Sequence, residues 1–157
     1  MTDMNAASSS KNLFTAGVVA HSIRALELDQ LADLIAYAKA HNLVFHMHVE
    51  EQVLEIEQCK QGQNDKTPLQ CILECAKKTK VDEDLSFMTL VHCTHSTAQD
   101  IAEYHGKRKG NVCICPLTEG SLADGIPQWE VAKYKDRIVV GSDSNLRIDF
   151  LEELRWY

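Results

Sequence analysis

The chain has 157 residues, 45% hydrophobic and 25% charged, which suits one globular domain with its own core. Its net charge is −7 without a long basic run, which argues against nucleic acid or an acidic membrane surface as partner. No apolar run approaches membrane-spanning length and no signal peptide is visible, so a cytoplasmic protein acting on a small molecule is expected, with homo-oligomerisation left open.

Residues 1–12 are polar and rich in serine (Ser8, Ser9, Ser10), and a flexible tail is expected there; 13–157 is read as the folded part. Ala16–Ala20 is short, apolar and β-branched and runs into His21-Ser22-Ile23-Arg24, a buried strand with a polar tip. Leu28, Leu31, Leu34, Ile35 and Ala38 fall on one helix face, with Asn42 as a stop. Leu43–Val49 is the second strand, carrying His46 and His48. Val53, Leu54 and Ile56 suggest a short helix. Thr67, Pro68 and Gln70 have the spacing of a capping box, and Leu69, Ile72, Leu73 and Ala76 form the apolar face of the helix that follows.

Phe87–Val91 reads as a third strand, ending in His92-Cys93-Thr94-His95. Ser96 with Gln99 is the expected cap of the next helix, which Gly110 breaks. Val112–Cys115 is a fourth strand closed by Pro116, followed by a loop holding Thr118, Glu119, Ser121, Asp124 and Gly125. Lys107-Arg108-Lys109 reads as a solvated helix end. Arg137–Val140 is a fifth strand, ending at Gly141-Ser142-Asp143-Ser144-Asn145, and a last helix begins near Asp149. The six cysteines, at 59, 71, 75, 93, 113 and 115, lie in apolar helical or strand contexts and are read as free thiols. Cys113-x-Cys115 alone is a weak metal motif.

Strand alternates with helix throughout, and the strands are unbroken apolar runs. That is the pattern of a parallel α/β sheet covered by helices. Neither G-x-G-x-x-G nor a P-loop follows any strand, which removes the main support for a nucleotide-binding open sheet. Each strand instead ends in a polar cluster, as the strands of β/α barrels do. His48, Glu51, His92 and Asp143 are the strongest chemical group, because imidazole and carboxylate together suit a divalent ion. A neighbouring carboxylate can move protons to and from an activated water. His46 is read as packing or support, and His95 and His105 as structural or exposed.

His48-Val49-Glu50-Glu51-Gln52, Leu90–His95, the Cys115–Gly125 stretch and Gly141–Asn145 resemble the amidohydrolase superfamily. Within it they look most like the N-formimino-L-glutamate deiminases, from about Ala16 to Tyr157. The resemblance implies a partial TIM-type β/α barrel, covering strands four to eight and lacking the first strands. It implies one Zn²⁺, with Fe²⁺ as the other option, held by His48 and Asp143. It implies that Glu51 shuttles a proton, His92 polarises or orients the water, and Asp143 acts as base as well as ligand. Arg24, helped by His21, would hold a substrate carboxylate through the guanidinium fork. The implied reaction is hydrolysis of N-formimino-L-glutamate to N-formyl-L-glutamate and ammonia, a step of histidine degradation. The family's first-strand His-x-His is not found here, so a fragment is expected, and a non-catalytic remnant is the alternative. A nucleobase or triazine deaminase of the same superfamily is the further alternative.

Overall fold

The computed structural model describes residues 15–144, 147 and 149–157, so the expected tail at 1–12 lies outside the described residues, as does Asn145. Among the described residues, five strands form one sheet: β1 (Gly17–Ala20), β2 (Val44–Val49), β3 (Met88–His92), β4 (Asn111–Ile114) and β5 (Ile138–Val140). Every neighbouring pair is parallel, and the strands lie in sequence order. Sequential order with a helical crossover between parallel neighbours winds the chain one way around the sheet, as in an arc of a β/α barrel. A doubly wound sheet would reverse its order partway.

Alternation along the strands sets the layers. In β2, Phe45, Met47 and Val49 are buried while Val44 and His46 are exposed. The buried side chains meet Leu31, Ile35 and Ala38 of α1 (Leu28–Ala40) and Leu69, Ile72 and Ala76 of α3 (Pro68–Lys78) in one core. Met88, Leu90, Val112 and Ile114 extend that core along the sheet. Each fully buried aliphatic or aromatic side chain contributes roughly 1.5–3 kcal/mol from leaving water. The opposite face keeps Val19 70%, Val44 54% and Val139 48% exposed.

Local signals account for most helix boundaries. Thr67 accepts from the Gln70 N–H, and the Gln70 side chain accepts from the Thr67 N–H, so the expected capping box is present. A second box, Glu27 with Gln30, opens α1. Other boundaries differ from expectation. The short helix expected at 53–56 is a ten-residue helix, α2 (Val53–Gly62). The cap of α4 (Ala98–Ile101) is Thr97 rather than Ser96, because Ser96 is buried and donates to Glu50 Oε2 at 2.5 Å. Helix α4 widens into a π-helix over Ala102–Lys107, whose His105 carbonyl accepts from Arg137. Pro116 opens a helix, α5 (Pro116–Ser121), where a loop was expected; proline is suited to a first helical turn. Arg108 is not a solvated charge: its guanidinium pairs with Asp82 and with Glu103, at 2.7 Å for the latter. Helix α6 (Phe150–Trp156) is capped by Asp149. All six cysteines are free thiols, as expected.

Candidate metal centre

The C-terminal ends of β2, β3 and β5 converge. His48, the penultimate residue of β2, places its ring 5.6 Å from that of His92, at the end of β3, with the planes 22° apart. Asp143 follows β5, and one ligand atom from each of His48, His92 and Asp143 lies within 4.8 Å of the others. Glu51 Oε1 stands 3.6 Å and Asp143 Oδ2 3.8 Å from His92 Nε2. Those separations are too long for hydrogen bonds. They lie near the ~3.4 Å that separates neighbouring ligands about 2.1 Å from one tetrahedral ion.

The backbone is bent where these side chains leave the sheet. Glu50 has φ +52°, His92 +75°, Cys93 +53° and Asp143 +43°. Non-glycine residues with positive φ are uncommon. Other instances, such as Asn42 and Lys80, follow helix C-termini, where a left-handed residue is usual. At His92 the Cys93 N–H turns back to the Val91 carbonyl at 3.2 Å, so a tight turn centred on His92 re-aims a side chain that would otherwise follow the pleat. Unusual backbone of this kind concentrates at functional sites. On β2, Glu50 redirects the chain after Val49 and so brings Glu51 to the same side as His48.

Both histidines are oriented from behind. His48 Nδ1 donates to the His21 carbonyl at 2.7 Å; a carbonyl can only accept, so the His48 proton sits on Nδ1 and Nε2 offers its lone pair. His92 Nδ1 lies 3.2 Å from Glu119 Oε1. His92 Nε2 is buried and has no hydrogen-bond partner among the described residues. Burial works against charge on this imidazole, but Glu119, Glu51 and Asp143 outweigh it, and its pKa lies above the ordinary value. Three carboxylates gathered around one histidine favour positive charge at that point.

Arg24 sits in a single helical turn, Ile23–Ala25, just past β1, exposed, with its Nε 3.4 Å from Ser22 Oγ. The His21 ring is 5.1 Å from that of His48, so the His21–Arg24 corner borders the cluster. His46 is exposed on the uncovered face, in register with Val19 and Thr89. Cys113 and Cys115 fall outside the candidate metal group.

Three acidic residues escaped the sequence reading of the site. Glu119, in the stretch expected to be a loop, is buried and contacts His92. Glu50 is buried and ties the N–H of Leu69, at 2.9 Å, and the Ser96 hydroxyl to the β2 tip. Glu55, on α2, is buried, and neither of its carboxylate oxygens finds a hydrogen-bond partner among the described residues. Burial pushes it up to about 7, with Arg24 pulling the other way. A capping proline at 116 and the acidic residues within α2 were the available signals, but neither reports burial.

The chain matches the Amidohydrolase family over residues 4–157. It is 35% identical over 142 residues to the formimidoylglutamate deiminase of Pseudomonas aeruginosa, a match covering 89% of this chain and 29% of that protein. Among solved structures it resembles an amidohydrolase from Brucella melitensis, with a TM-score of 0.71 and 28% identity over 89% of this chain and 29% of that one. An adenosine deaminase from Xanthomonas campestris with bound zinc shares the fold at TM-score 0.74 and 18% identity, over 94% and 33% of the two chains. The chain therefore spans about 29% of the length of the curated relative it matches, and its five strands are part of a larger β/α barrel. It belongs to the amidohydrolase family.

Proposed function

We propose that this chain carries the later strands of the catalytic barrel of a zinc-dependent deiminase acting on N-formimino-L-glutamate. The observation that carries the reading is the convergence of His48, His92 and Asp143 within 4.8 Å at the strand ends. Two imidazole nitrogens and a carboxylate oxygen suit Zn²⁺, with Fe²⁺ as the other option. The buried His92 Nε2, without a hydrogen-bond partner among the described residues, supports the fit. The resemblance implies a polarising role for His92; its Nε2, 3.8 Å from Asp143 Oδ2, stands close enough to serve as a third ligand. A divalent ion held there supplies the Lewis acidity that makes water a nucleophile near pH 7.

The residues of this chain supply the rest. Asp143 takes the proton of the attacking water. Glu51, 15% exposed at its side chain and 3.6 Å from His92, carries a proton to the leaving nitrogen, so that ammonia departs and N-formyl-L-glutamate remains. His92, with His48 and Asp143, would hold the divalent ion through Nε2. Arg24 and His21 hold a substrate carboxylate at the rim. The substrate is favoured by the 35% identity to the P. aeruginosa enzyme and by Arg24, for which a purine, pyrimidine or triazine has no evident use.

The test is a chimaera in which this chain replaces the matching 29% of the P. aeruginosa protein. It is expected to release ammonia from N-formimino-L-glutamate. Arg24→Met in that chimaera is expected to raise KM about 10–100-fold, the loss of one charge-assisted contact of roughly 1.5–3 kcal/mol. An unchanged KM and kcat would remove the carboxylate-clamp role.

For the chain by itself a second reading is favoured by its uncovered sheet face, with Val19 and Val139 exposed, and by β1 and β5 at the sheet edges. It is a non-catalytic unit that binds zinc weakly and associates through those edges.

A further inference from the structure

The stretch from Cys115 to Asp124 is absorbed neither by the metal reading nor by the substrate reading, yet it touches both ends of the candidate centre. Its helix α5 presents Glu119 inward. One oxygen of Glu119, Oε1, accepts from the Cys115 N–H at 3.0 Å and stands 3.2 Å from His92 Nδ1. The carboxylate is thus fixed to the end of β4 while it faces the end of β3. The preceding residue, Thr118, donates from Oγ1 to the Ser142 carbonyl at 3.0 Å, immediately before Asp143. Helix α5 is braced in turn by α6, where the fully buried Glu153 accepts from the Leu117 N–H at 2.9 Å. One six-residue helix therefore sets His92 through a side chain and Asp143 through the backbone of its neighbour.

We propose that Glu119 is a positioning residue that holds the His92 ring with its proton on Nδ1 and Nε2 turned into the cluster, while Thr118 fixes the approach of Asp143. A histidine whose far nitrogen donates to a carboxylate keeps its tautomer and ring orientation, and its near nitrogen gains basicity. His48 obtains the same orientation from the His21 carbonyl. The centre thus has two histidines locked in the same sense by different devices, a neutral carbonyl for one and a carboxylate for the other. The consequence for metal affinity rests on the metal-site reading; the tautomer does not.

The experiment is ¹⁵N NMR of the histidine side chains in this metal-free chain, read on neutral imidazole, alongside zinc titration. Wild type is expected to show His92 as the Nδ1–H tautomer. Glu119→Gln keeps the length of the side chain but removes its charge. It is expected to leave the His92 tautomers mixed or reversed and to weaken zinc binding about 10–100-fold. Thr118→Val is expected to keep the Nδ1–H tautomer while also weakening zinc. A wild-type His92 protonated on Nε2 overturns the proposal and requires no variant. So does a Glu119→Gln chain in which the His92 spectrum and zinc affinity are unchanged, or in which only the unfolding midpoint falls. Loss of formiminoglutamate turnover in the chimaera with the tautomer intact would count against the substrate reading alone.

Discussion

Asp143→Asn in the chimaera is expected to reduce turnover of N-formimino-L-glutamate roughly 10²–10⁴-fold, the range that a positioned general base contributes. It should also release zinc at concentrations that wild type tolerates. Asparagine has nearly the same shape but cannot accept a proton, and its carbonyl oxygen is a poorer ligand than a carboxylate. The substitution also removes one of three carboxylates around His92, whose pKa should fall toward the ordinary value, since Asp143 is among the charges that raise it. Turnover and zinc content measured on the same preparation decide the matter. Turnover lost with zinc retained would make Asp143 a base and not a ligand. Both unchanged would remove it from the site.

The second large effect concerns stability and arises from Glu55. Burial raises its carboxyl from 4.5 to about 7; Arg24 opposes the shift, and Glu50 and Glu51 add to it. The folded chain therefore holds this proton more tightly than the unfolded chain. Below about pH 4.5 both states carry it and no penalty exists. Between 4.5 and 7 stability falls as pH rises. Above 7 the full cost applies, about 3 kcal/mol for a shift of this size. Glu55→Gln removes the titration, so the drop in unfolding free energy between pH 4.5 and pH 8 should shrink by about 3 kcal/mol. Urea unfolding of both proteins at the two pH values measures it. Equal drops would mean that water reaches the carboxylate in the folded protein.

Much of this architecture could be read from residue order. Unbroken apolar runs such as Val112–Ile114, each followed by a helix pattern, pointed to a parallel sheet, and the sheet is parallel with strands in sequence order. His48, Glu51, His92 and Asp143 stood out because each follows an apolar run, and strand ends on one side of such a sheet must lie near one another. What could not be read depended on contacts across the fold. Ser96 and Thr97 both offer a hydroxyl three residues before a polar side chain; only the burial of Ser96 against Glu50 decides that Thr97 caps the helix. Glu55 looks like any acidic residue on a helix until the turn carrying Arg24 is packed against α2. Glu119 follows a proline that in sequence marks the end of a strand, and its partner His92 lies 27 residues earlier. The π-helix at Ala102–Lys107 likewise depends on the distant Arg137 and on Tyr134, whose ring packs edge-on against His105.

The most direct test is diffraction at the zinc absorption edge from crystals of this chain soaked in zinc at saturating concentration. One anomalous peak is expected, about 2.0–2.2 Å from a nitrogen of His48, a nitrogen of His92 and an oxygen of Asp143. A saturated crystal whose zinc sits elsewhere, at Cys113 and Cys115 for example, or that holds none at the β2, β3 and β5 tips, would contradict the assignment of this cluster as the metal centre.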